Sequence, residues 1–191
     1  MSRTAEKDGL TLKPGSNLTL QLENKLLLAR IAELEGIVVR DTLTPLYNRR
    51  HFTDILDRWI WRAHRYEGQY GLMFIDVDGL KLINDTHGHA AGDAVLIAVA
   101  KQLQRAVRRS DIAARISGDE FALLLENIPE ASLPKKAASI AKSISKLAIP
   151  YDNIILSACV SVGYTPVVGG ISTSALLARA DKSMYLSKQT K

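Results

Sequence analysis

From Leu18 the chain shows helical spacing. Leu20, Asn24, Leu27, Ile31, Leu34 and Val38 lie alternately four and three residues apart. Read as heptads, Leu20, Leu27 and Leu34 occupy d, while Asn24, Ile31 and Val38 occupy a. Leu at d, β-branched residues at a and a single Asn at a suit a parallel two-stranded coil. Arg30 at g and Glu35 at the following e add a possible interchain pair. The run spans only about three heptads, and it also fits an amphipathic helix lying on its own domain. Asp41 to Arg50 interrupts it with turn formers. A second helix is predicted over Arg50 to Tyr66, with Phe52, Ile55, Leu56, Trp59 and Ala63 on one face and Gly68 beyond its end. Tyr70 to Val77 is a short, nearly continuous apolar run, the pattern of a buried strand.

Gly79 to Asp93 then reads as a helical turn, a loop marked by glycine, and the start of a long helix reaching about Arg108. Val95, Leu96, Val99 and Leu103 form the buried face of that helix. Its closing arginines, Arg108 and Arg109, complement the negative helix end. Two apolar runs, Ile112 to Ala114 and Phe121 to Leu125, flank Ser117-Gly118, which is a hairpin signal. A helix (about 131–147), a strand region (154–164), a loop (167–172) and a last helix (173–188) complete the chain. The order β-α-β-β-α-β-α places it in the α+β class. The expected core is a ferredoxin-like βαββαβ sheet with helices covering one face, preceded by a coiled-coil-like helix. The organisation read from these breaks is a flexible segment at 1–17, a signalling or dimerisation helix at 18–40, and a globular domain at 41–191.

Composition narrows the partners. At 191 residues the chain can hold one domain with a full core and an appendage. The net charge of +5 suits a phosphate-bearing ligand but is too small to argue for nucleic acid. Cys159 is the single cysteine, so no disulfide framework exists and a reducing compartment is expected. No apolar run approaches the ~20 residues of a membrane span, and Met1 to Gly15 holds no signal-peptide core. These features lead to an expected cytoplasmic location.

Two pairs of carboxylates carry the candidate chemistry. Asp76 and Asp78 end the apolar strand, and Asp119 and Glu120 follow the hairpin turn. Adjacent anions repel and lose hydration, which a bound cation would offset. If the first strand ends beside the hairpin turn, Asp76, Asp119 and Glu120 become neighbours. Oxygen-only ligands select a hard cation, Mg²⁺ or Mn²⁺, and such ions usually work with substrate phosphates. His87 and His89 offer a rival Zn²⁺ site, but no cysteine and no helical i, i+4 pair of imidazoles supports it. Local hydrogen bonding explains them more simply.

Four motifs in order resemble the GGDEF domains, the diguanylate cyclases. Arg115-Ile116-Ser117-Gly118-Asp119-Glu120-Phe121 resembles the family signature, with Ser117 at its first glycine. Asp41 to Arg50 resembles the leading Asp-x-Leu-Thr motif, with Pro45 at a usual glycine. Asp76 to Asp93 resembles the Asp-x-Asp to Gly-Asp block, with Gly79-Leu80 where larger residues are common. Ala180-Asp181 to Lys188 resembles the closing helix. The resemblance covers about Asp41 to Lys188 and implies a GGDEF domain over 41–191. It implies condensation of two GTP into cyclic di-GMP with release of two pyrophosphates. It further implies two metal ions (Mg²⁺ or Mn²⁺) held by Asp76, the Val77 carbonyl, Asp119 and Glu120. Lys81 and Lys188 would bind phosphate oxygens, Asn84 and Asp93 would read the guanine edge, and Asp119, Glu120 and Lys81 would form the catalytic set. Arg108 and Asp111 match an Arg-x-x-Asp motif at which the product, cyclic di-GMP, inhibits. Because one domain holds one GTP, the resemblance implies a homodimer, with an upstream sensor as a possible partner. A catalytically silent receptor for GTP or cyclic di-GMP is the rival reading, and a purely structural dimerisation module is a third.

Overall fold

The computed structural model describes residues 20–28, 30, 39–66 and 68–189. The chain divides into two units, Met1–Val38 and Val39–Lys191. In the first, residues 20–28 are helical (α1), and Leu20, Leu22, Leu26, Leu27 and Leu28 are all exposed. The heptad positions Ile31, Leu34 and Val38, and Glu35, lie outside the described residues.

The second unit begins with α2 (Arg49–Arg65). The Asn48 side chain caps it by accepting the His51 amide, and Phe52, Leu56, Trp59 and Ile60 are its buried face. Next come β1 (Tyr70–Asp78), α3 (Leu80–His87), α4 (His89–Ala106), β2 (Ile112–Ser117) and β3 (Glu120–Glu126). A short 3₁₀ turn leads into α5 (Leu133–Ile144). The strands β4 (Ile149–Tyr151), β5 (Ile154–Leu156) and β6 (Cys159–Val167) follow, and α6 (Thr173–Gln189) ends the unit.

Four strands form one antiparallel sheet in the order β2-β3-β1-β6, so β1 is central, and β4 and β5 form a separate two-stranded hairpin. Helices cover both faces of the sheet, not one as the element order suggested. Met73, Ile75 and Val77 pack with Val95, Leu96 and Val99 of α4 and Ile140 and Ile144 of α5. Leu72 and Phe74 pack with Phe52 and Leu56 of α2 and Leu176 and Met184 of α6. The unalternating apolar run of β1 is the consequence, since a strand buried on both faces has no polar side. The small hairpin β4–β5 was not anticipated. Its strands are three residues each, too short for a period-two pattern to register.

Two contacts set the frame of the site. Tyr47 forms a parallel bridge to Ala114: its amide donates to the Ala113 carbonyl at 3.1 Å, and its carbonyl accepts from Arg115 at 2.9 Å. This pairs part of the otherwise open edge of β2. On the other side, Gly163 of β6 lets α6 approach closely. A Cβ there would collide with the backbone of Met184 and Ala180. One turn beyond Met184, α6 presents Lys188 to the end of β1.

Candidate functional site

The register between β1 and β3 pairs Asp76 directly with Glu120. Paired residues on antiparallel strands project to the same face, so both carboxylates start from adjacent points on the α2/α6 side. One residue further, the Val77 amide donates to the Asp119 carbonyl at 3.1 Å, which fixes the hairpin turn to the end of β1. The side chains then find separate partners. Lys188 Nζ lies 2.6 Å from Asp76 Oδ1, Ser117 donates its hydroxyl to Glu120, and Ser161 Oγ donates to Asp78 Oδ1 at 2.7 Å. Among the described residues no three His, Cys, Asp or Glu side chains are gathered as a metal cluster. The backbone thus unites Asp76, Val77, Asp119 and Glu120, while the carboxylates themselves do not converge. In kind, the set fits a hard cation: the donors are oxygens, and Asp76, nearly buried at the end of a core strand, already holds a positive charge. The hydrogen bond to Asp76 raises the Lys188 ammonium above its usual value, against some desolvation, and the fields of Asp76, Asp78 and Asp119 add to it.

Lys81 stands exposed near the start of α3, and Asp93 is exposed on α4. Asn84 lies between them, and its Oδ1 is buried without a hydrogen-bond partner. That atom rests against Gly92, where any Cβ would collide with it. A buried acceptor left unsatisfied costs free energy, and this one is shielded by the Gly92 backbone. Leu80 is buried in the α4-side core, so the small residue at 79 does not leave 80 unpacked. Gly79 itself takes φ 72, a left-handed conformation that residues with a Cβ rarely adopt. His87 and His89 are exposed on either side of Gly88.

Arg108 and Asp111 are close together but act first on the backbone. Asp111 Oδ2 accepts the Arg108 amide at 2.8 Å, and Oδ1 accepts the Glu126 amide at 3.0 Å. The guanidinium-bearing residue borders two cavities. One, of about 360 Å³, is lined also by Lys135, Lys136 and Ser139. The other, of about 270 Å³, is lined by Arg40, Tyr47 and Arg109.

A residue that the sequence reading passed over organises the hairpin. Arg115 donates from Nε and Nη2 to the Gly118 carbonyl at 3.0 and 2.8 Å, gripping the turn that carries Asp119. Its Nη1 reaches Asp41 Oδ1 at 3.3 Å. Asp41 also accepts from the Thr44 amide and hydroxyl, each at 2.8 Å. Burial alone would raise the Asp41 carboxyl; its bonds to Thr44 and the charge of Arg115 together hold it below its usual value. A cation two residues before the Ser117-Gly118 turn was the only sequence signal, and nothing local named Asp41 as its partner. At Pro45, the carbonyl accepts from Arg40 at 2.9 Å.

Comparison with known proteins identifies the family. The family model described as "Diguanylate cyclase, GGDEF domain" matches residues 38–191. The bifunctional diguanylate cyclase/cyclic di-GMP phosphodiesterase MucR of Pseudomonas aeruginosa is 36% identical over 161 residues, covering 82% of this chain and 23% of that protein. Diguanylate cyclase A of Treponema denticola is 34% identical over 176 residues, 88% of this chain and 47% of that protein. The chain therefore spans less than half the length of these relatives. Among solved structures, the coiled coil and GGDEF domain of DgcB from Caulobacter crescentus, in complex with c-di-GMP, superposes with a TM-score of 0.76 at 27% identity, covering 91% of this chain and 92% of that one. Diguanylate cyclase SiaD of Pseudomonas aeruginosa, in complex with its activator SiaC, gives 0.76 at 30% identity, over 91% and 67%. The match of the family model over residues 38–191, with relatives 34% and 36% identical over most of the chain, makes this protein a member of the GGDEF family of diguanylate cyclase domains.

Proposed function

We propose that the chain condenses two GTP molecules into cyclic di-GMP, releasing two pyrophosphates. The observation that carries the reading is the register pairing Asp76 with Glu120, with the Val77 amide on the Asp119 carbonyl. Each half-reaction forms a bond from a 3′-oxygen to an α-phosphorus and breaks the bond from that phosphorus to pyrophosphate. Asn84 and Asp93 hold the guanine; a carboxylate accepts from N1–H and N2–H₂ together, and adenine offers no such donor pair. Lys81 and Lys188 bind phosphate oxygens as compact charges, and Asp119 or Glu120 takes the proton of the attacking hydroxyl. Divalent ions (two Mg²⁺ or Mn²⁺) held by Asp76, the Val77 carbonyl, Asp119 and Glu120 would neutralise the triphosphate and acidify that hydroxyl.

Two GTP molecules need two domains face to face, so the working unit is a homodimer. Residues 18–40 serve as a tether that raises the local concentration of the second copy and carries a signal from an upstream sensor. The exposed leucines of α1 support a coil there, with 41–191 as the ferredoxin-like catalytic domain; the leading segment 1–17 lies outside the described residues. Cyclic di-GMP feeds back at Arg108 and Asp111, beside the basic cavity that includes Lys135 and Lys136. One observation favours a silent receptor instead: Lys188 and Ser117 engage two of the carboxylates that would hold metal. Incubation of purified protein with GTP and Mg²⁺, followed by chromatography of the products, separates the two. Cyclic di-GMP and pyrophosphate are expected with GTP and not with ATP; binding of GTP without turnover would leave the receptor.

A further inference from the structure

Asp76 and Lys188 are unequal partners. The Asp76 side chain is 13% exposed and is built into the central strand, whereas the Lys188 side chain is 47% exposed on the last turn of α6. The carboxylate cannot leave; the ammonium can swing away without disturbing packed groups. A divalent ion bound through the Asp76 carboxylate would sit ~2.0–2.6 Å from one of its oxygens, depending on the ion, beside the ammonium on Oδ1. An ammonium 2.6 Å from Oδ1 and a metal ion bound to the same carboxylate would repel each other strongly at such separation.

We infer that Lys188 is the resident counter-cation of the acidic site, and that divalent metal takes Asp76 only when a nucleotide draws the ammonium away. This rests on the reading of Asp76 as a metal ligand. A triphosphate carries several negative charges and offers Lys188 a better partner than one carboxylate. Its arrival frees Asp76 at the moment when metal is wanted. Metal and nucleotide then assemble together, and free metal meets an occupied carboxylate. Lys188 thereby has a gating role in addition to holding phosphate.

The test is direct binding of Mn²⁺, read from the loss of the free-ion paramagnetic resonance signal, in full-length wild type, Lys188→Met, Asp76→Asn and the double variant. Circular dichroism checks that each is folded; Lys188 is peripheral enough for Met to be tolerated. Without nucleotide, Lys188→Met is expected to bind Mn²⁺ on the order of tenfold more tightly than wild type, the scale of one charge-assisted hydrogen bond at a partly solvated site. The double variant is expected to lose that gain. With a non-hydrolysable GTP analogue, the advantage of Lys188→Met is expected to disappear. If Lys188→Met binds Mn²⁺ no better than wild type while Asp76→Asn abolishes nucleotide-dependent Mn²⁺ binding, the gate is overturned and the metal site stands. If Asp76→Asn leaves that binding intact, the metal reading of Asp76 falls, and the gate with it.

Discussion

Arg115 Nη1 lies 3.3 Å from Asp41 Oδ1, an ion pair between residues 74 positions apart. Both side chains are largely shielded from solvent, at 14% and 18% exposure, so the pair is not a loosely solvated surface contact. Because Arg115 also holds the Gly118 carbonyl, it joins the start of the folded unit to the turn bearing Asp119 and Glu120. Displacement of the Asp41 turn is thereby felt at the hairpin tip.

Arg115→Lys keeps the charge but loses the planar fork that holds both Gly118 and Asp41. The expected loss of stability is about 1–2 kcal/mol, measured by urea denaturation. Cyclic di-GMP production is expected to fall by more than the unfolded fraction accounts for, because the turn is released. An unchanged rate in a folded variant would separate this arginine from the position of the turn.

Asp41 links the same network to pH. Its folded carboxyl is held below its usual value, which in an unfolded chain is roughly 3.9. A depressed carboxyl contributes stability that is present above the unfolded value and disappears as pH falls through the folded one. Asp41→Asn is therefore expected to be less stable than wild type near neutrality, with the difference shrinking on acidification below about pH 4. Denaturant midpoints of both proteins across that range provide the measurement; a gap that widens towards acid would contradict the assignment.

Gly163→Ala tests how α6 is seated. The added methyl meets the backbone of Met184 and Ala180, which cannot rotate aside as a side chain can. Overpacking of this kind costs about 1–3 kcal/mol. Lifting α6 also draws Lys188 from Asp76, so the change should weaken GTP affinity beyond its effect on stability. Equilibrium denaturation and nucleotide titration of the same preparation distinguish the two effects.

Asp93→Asn should erode the choice of base. If Asp93 reads the guanine edge as proposed, the N1–H and N2–H₂ donors lose the carboxylate that accepts both, and kcat/KM for GTP is expected to drop by about tenfold to a hundredfold. Any residual turnover of ATP should not drop in parallel. Steady-state kinetics with both nucleotides measures the ratio; an equal loss for both would place Asp93 outside base recognition.

Much of this molecule is legible along the chain because its signals are local. The apolar run of β1, the Ser117-Gly118 turn and the amphipathic faces of α2 and α4 follow from backbone preference and periodicity over a few residues. The acidic pairs are equally visible, since Asp119 and Glu120 are neighbours in sequence and Asp76 ends an apolar run. The second helical layer was missed because element order alone does not say to which side of a sheet each helix returns.

The chain's own order of residues determined which of the longer elements form, that charged oxygens stand at the end of a core strand and at a turn, and that a carboxyamide and a carboxylate follow a glycine-marked helix start. Tertiary structure decided the rest: that Asp76 pairs with Glu120, that Asn84 Oδ1 is buried against Gly92, that Arg115 reaches Asp41, and that Lys188 returns from the last helix to Asp76. Each of these depends on strand register or on helix approach across many intervening residues. Those are settled by packing the whole core at once, and no window of sequence contains both partners together with the contacts that hold them.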